Sequence, residues 1–162
     1  MTEQEKSSLL REYENTVRRL KEIITSTPRK ALDIRPKADY WTIREHVAHL
    51  MDCEIFGFTR YRKSIAQPGA AVEGFDQEPW QSDLDYPVMD ISKAMRIIET
   101  LHEIALAHLA EITNRDWDAY TITHPERGGE NLTKLINRRI EHLKEHIGYI
   151  NRNMALNKNQ EF

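Results

Sequence analysis

A chain of 162 residues fits one domain with one core, and 40% hydrophobic with 30% charged residues describes a globular, helix-rich protein rather than a disordered one. A formal net charge of -3 argues against general nucleic-acid affinity, which needs a basic face. Cys53 is the single cysteine, which excludes an intramolecular disulfide framework and a thiolate metal cage.

No apolar run approaches the ~20 residues that span a bilayer, and the N-terminus lacks the apolar stretch of a signal peptide. The expectation is a cytoplasmic protein with no membrane partner.

The first helix is predicted over residues 3–26. Leu9, Leu10, Tyr13, Val17, Leu20 and Ile24 recur there at spacings of three and four. Thr27-Pro28 ends it, because proline disfavours helical geometry in the preceding residue. A polar connector leads to Tyr40.

Thr42 and Glu45 have the spacing of a capping box and start the second helix. Ile43, Val47, Leu50, Phe58 and Tyr61 define its buried side, and Arg44, Glu45, Asp52, Arg62 and Lys63 its polar arc. His46 falls inside the buried arc, with His49 and Cys53 on its shoulder.

Residues 67–89 form a long connection containing Phe75 and Trp80, which a merely solvated linker would not need. Six acids and no Lys or Arg occur between Glu73 and Asp90, as in a solvated loop.

Asp90 caps a third helix reaching Ile112, with a stripe of Ile91, Met95, Ile98, Leu101, Ala105, Leu109 and Ile112, and His102 and His108 read as ordinary helix-face residues. The loop to Glu130 carries His124-Pro125-Glu126 and Gly128-Gly129. The fourth helix spans residues 131–153, with a seam of Ile136, Ile140, Leu143, Ile147 and Ile150. A frayed tail is expected over 155–162. With strand signals nearly absent, the reading is an all-α four-helix bundle with long inter-helix loops, one domain over residues 1–162.

The chemistry lies in Glu141-His142-Leu143-Lys144-Glu145-His146. Four residues are slightly more than one helical turn, so His142 and His146 project from the same side, beside the core seam. Two such imidazoles clamp a borderline metal, and one more from the second helix would leave coordination positions open, as catalytic sites do. His46 and His49 both offer that third ligand. His142-x-x-Glu145-His146 also fits the inverzincin pattern, but only sixteen residues follow it and Glu145 points to solvent.

The run Trp41-Thr42-Ile43-Arg44-Glu45-His46-Val47-Ala48-His49-Leu50, followed by Asp52 and Glu54, resembles the second-helix start of DinB-like proteins. Gly74-Phe75-Asp76-Gln77-Glu78-Pro79-Trp80 resembles that family's mid-chain loop. His124 through Gly128, Leu132-Thr133, and His142 through His146 resemble its final loop and helix.

The resemblance implies a bundle, often dimeric, that holds a divalent metal, zinc or nickel, on three histidines. Carried over residue by residue, these are His49, His142 and His146. It also implies an enzyme acting on a small molecule, with S-transfer from a low-molecular-weight thiol leading and metal-assisted hydrolysis next. A non-catalytic metal- or ligand-binding module is the alternative. His46, Glu54, His124 and Trp80 are candidates to support the ligands or line the pocket, with Glu54 equally suited to a salt bridge with an arginine.

Overall fold

The computed structural model describes residues 1–158. Four long helices make the bundle: α1 (Glu3–Ser26), α2 (Ile43–Ala66), α4 (Ile91–Glu111) and α5 (Leu132–Lys158), with a short α3 (Gln77–Asp83) in the mid-chain connection. The four-helix reading of the periodicity therefore holds. No helix among the described residues is long and apolar enough to cross a membrane.

The local signals act as their chemistry requires. Thr42 Oγ1 accepts from the Glu45 amide at 3.2 Å, and the Thr42 amide donates to Glu45 Oε2 at 2.6 Å, which closes the capping box of α2. Asp90 accepts from the Ser92 and Lys93 amides at the start of α4. The stripes of α1, α4 and α5 merge with Ile43, Val47 and Leu50 of α2 into one core.

Four features depart from the sequence reading. Thr121–His124 and Gly128–Asn131 are not loop but an antiparallel hairpin, β2 and β3, with β1 (Ala70–Ala71) added in parallel to give the order β1-β2-β3. The missed signal is the alternation of Thr121-Ile122-Thr123-His124, which buries Ile122 and His124. Gly128 turns the hairpin with a φ of 70°, a conformation that favours glycine.

The polar arc of α2 is also partly inside: Glu45 is 1% and Asp52 6% exposed. The connection between α2 and α4 folds back over them. Tyr86 Oη donates to Asp52 Oδ2 at 2.6 Å, and Arg35 pairs with Glu45 at 2.6 Å, so both carboxylates are compensated.

The supposed frayed tail is helical through Lys158, with Asn153 and Asn157 buried, while residues 159–162 lie outside the described residues. Finally, His102 is no simple helix-face residue. It is buried edge-on to Tyr13, with ring centroids 4.3 Å apart.

Candidate metal centre

α2 and α5 lie side by side, and their histidines meet between them. His49 Nε2 stands 3.3 Å from His142 Nε2, and Cys53, one turn beyond His49, puts its Sγ 3.3 Å from the same His49 nitrogen. The His146 ring lies 4.8 Å from that of His49 and 4.5 Å from that of His142, centroid to centroid. The three histidines singled out by the sequence are thus neighbours, and Cys53 joins them.

His46 sits on the other side of His146, its Nδ1 2.9 Å from His146 Nδ1. Trp41, at the entry to α2, roofs the cluster: its ring lies 5.2 Å from His49, 5.5 Å from His46 and 6.2 Å from His146. Asn153 Nδ2 donates to the Trp41 carbonyl at 2.7 Å and so ties that roof to α5. Phe75 stacks on His49 from the opposite direction. Trp41 opens the run that resembles the family's second-helix start, but nothing local in the sequence reveals what it covers.

Burial sets the charge state. It lowers the imidazole pKa of His49 to about 3, helped by His142 and His46, and that of His146 to about 2, helped by its three histidine neighbours. His46 falls to about 4, through burial and then Arg152, and His142 is lowered too, chiefly by burial. All four are therefore neutral at pH 7, the form that binds metals. Burial, followed by Glu54 and Asp52, pushes the Cys53 thiol up, so it is protonated unless a cation offsets those effects.

The donor set fits a borderline divalent ion. Nitrogen and sulfur ligands about 2.0–2.3 Å from one tetrahedral ion stand roughly 3.3–3.6 Å from one another. The His49–His142 and His49–Cys53 separations of 3.3 Å lie at that spacing. His49, Cys53 and His142 form a group whose ligand atoms all lie within 4.8 Å of one another.

Beside the cluster opens a cavity of about 350 Å³, within the range of small-molecule sites. Cys53 and His142 line it at the cluster end, Phe56 and Phe75 form an apolar wall, and Arg60 and His124 line it as well. Trp80 does not line it; its ring packs 5.3 Å from Phe56 and 5.0 Å from Phe75 and backs that wall. A shallower groove reaches His46, His142 and His146 from the side of Tyr149.

Glu54 lines the cavity but supports no imidazole. It is bound to Arg139, which donates to Tyr13 Oη at 2.6 and 2.8 Å, and Tyr13 Oη donates to Glu54 Oε2 at 3.1 Å. The salt-bridge alternative is therefore the one realised. Gly57 makes room for it, since a Cβ there would fall on the Arg139 guanidinium. Neither Arg139 nor Gly57 stands out in the sequence, because the partners of Arg139, Glu54 in α2 and Tyr13 in α1, are 85 and 126 residues away and Gly57 only makes room for Arg139.

A helical bundle with histidines of two neighbouring helices turned onto each other beside an open cavity defines a class of intra-bundle ligand sites. The sequence profile of the DinB superfamily matches residues 12–150, and the chain belongs to that superfamily.

Among its relatives, a protein of Oceanobacillus iheyensis known as "Putative metal-dependent hydrolase" is 26% identical over 141 residues, covering 87% of this chain and 81% of that one. A Bacillus cereus protein of the same description is 23% identical over 150 residues, covering 93% and 86%. YfiT from Bacillus subtilis, described as "a probable metal-dependent hydrolase with an unusual four-helix bundle topology", superposes with a TM-score of 0.85 at 21% identity. That alignment covers 96% of this chain and 89% of YfiT.

Proposed function

We propose that this chain is a metal-dependent enzyme that hydrolyses a small molecule in the cavity beside His142, with His49, His142 and His146 holding a divalent ion, zinc or nickel. The observation that carries the reading is the 3.3 Å approach of His49 Nε2 and His142 Nε2, from two different helices, at the end of a cavity of about 350 Å³. The names of the relatives support it.

His49, His142 and His146 would hold the ion, which when bound would supply Lewis acidity for activating water and polarising the bond to be cleaved. The chain's own part is to hold neutral imidazoles under the Trp41 roof, so that no proton competes for their lone pairs. Phe56 and Phe75 keep one wall of the cavity dry, which strengthens polar interactions inside it. Nothing lining the cavity singles out a thiol, so hydrolysis leads, and thiol S-transfer is the second reaction to assay.

The test is metal content of protein purified without a histidine tag. The expectation is about one equivalent of zinc or nickel, falling below about a tenth in His142→Ala while the helical circular dichroism is kept. No metal in wild type, with none taken up on addition, would overturn the proposal. Loaded protein is then screened on esters, amides and lactones, and on electrophiles with a thiol panel. A metal-loaded protein inactive on all of them would favour the binding-module alternative. The homodimer and the cytoplasmic location stand as proposals beside this one. Sedimentation at several concentrations tests the first and fractionation the second.

A further inference from the structure

At the hairpin end of the cavity, Arg127 of the hairpin, Arg60 of α2 and Arg138 of α5 line one wall. Glu130, 3% exposed, takes both Arg127, at 3.2 Å, and Arg138, at 2.7 Å, so one carboxylate serves two guanidinium groups. Arg139 is matched by Glu54. Arg60, on α2, makes no ion pair among the described residues. Its one hydrogen bond goes from Nη2 to the Glu73 carbonyl at 2.7 Å, and its Nε is buried without a partner.

Burial, and then the neighbouring Arg127, hold the Arg60 pKa below its ordinary value, with Glu130 only partly offsetting them. His124 adds a donor to the same wall. It is 2% exposed, and its Nδ1 accepts from the Glu126 amide at 3.2 Å, which places the proton of the neutral ring on Nε2. That Nε2 is buried and unpartnered. The exposed carboxylates lining the cavity, Glu141 and Glu145, are on α5, and neither pairs with any of these arginines.

We infer that Arg60, with His124 and Arg127 beside it, receives an anionic group of the substrate, a carboxylate or phosphate, while the group to be cleaved faces His142. The inference rests on the reading of the cavity as the substrate site. It narrows the substrate class to small molecules that carry a negative group apart from the reacting bond. The unpartnered Nε–H of Arg60 and a neutral imidazole N–H suit such an oxyanion, and the half-buried setting favours it over water.

The test is a titration of succinate and, separately, inorganic phosphate into zinc-loaded protein and into protein stripped of metal, followed by the NMR signals of the Arg60 Nε–H and the His124 ring. The expected result is saturable shifts of both groups in both forms. Arg60→Gln should weaken binding tenfold or more, with Arg19→Gln on the far surface unchanged. If both succinate and phosphate shift these groups, the site reads oxyanions generally; if one alone does, that one names the group.

Wild-type protein in which neither group shifts in either form overturns the inference, whatever the variants do. Binding seen only with zinc, and equal in Arg60→Gln, places the anion on the metal. That overturns the inference and leaves the metal centre standing. Binding in a protein that never retains zinc supports the anion site while the metal reading fails.

Discussion

His46 Nδ1 lies 2.9 Å from His146 Nδ1, a distance that requires one proton between two neutral rings. If His146 is to present Nε2 to a metal, it carries that proton on Nδ1 and donates it to His46. His46 then bears its own proton on Nε2, which is buried without a partner. In that arrangement His46 would fix the tautomer of His146 from behind, as outer partners of metal-bound histidines do. His46→Phe, which keeps the ring but not the acceptor, is expected to weaken zinc affinity by about 10–100-fold. Competition against a chromogenic chelator measures this, and an unchanged affinity would remove His46 from the centre.

Cys53 can take the place of His146 as third ligand and still leave a position open, because its Sγ shares the 3.3 Å spacing to His49 Nε2. Cobalt-substituted protein should then show a thiolate-to-cobalt charge-transfer band in the near ultraviolet, absent from Cys53→Ser. A histidine-only spectrum in wild type would show the thiol to be a bystander that burial keeps protonated.

The buried Tyr13–Glu54–Arg139 group should be costly to break and cheap to replace as a whole. Arg139→Met strands Glu54 in the core and is expected to destabilise by about 3–5 kcal/mol, whereas Arg139→Met with Glu54→Leu recovers most of that loss. Urea denaturation of both variants decides it. Gly57→Ala belongs to the same series, since its methyl group displaces the guanidinium.

Stability of the metal-free protein should fall as the pH drops below about 6.5. His102, buried against Tyr13, has its pKa lowered to about 4, by burial and then Arg139. His46 is likewise lowered to about 4. Between those values and about 6.5 the unfolded chain binds more protons than the folded one, so stabilisation present above 6.5 is lost on the way down. Each such imidazole adds about 1.4 kcal/mol per pH unit to the slope. His102→Phe should remove one share, read from urea midpoints at a series of pH values.

The sequence by itself determined the four helices, their caps and their core stripes, and it placed His142 and His146 on one side of α5. Those features follow from helical periodicity and from side chains bonding to amides two or three residues away. The resemblance of the Trp41–Leu50 run added His49. The tertiary structure decided the rest: that His49 approaches His142 while His46 backs His146, that Cys53 shares the centre, and that Trp41 covers it. It also buried Glu45 and Asp52 and paired Glu54 with Arg139, and it turned the His124 loop into a hairpin beside the cavity, where Arg60 of α2 and Arg138 of α5 join Arg127. Apart from Cys53, one turn from His49, and the hairpin, whose alternation is local, these depend on groups far apart in the chain, brought together by how α2 packs on α5 and by a connection folding back over α2. A helical pattern says which side of a helix is buried, but not which atom waits on the other side.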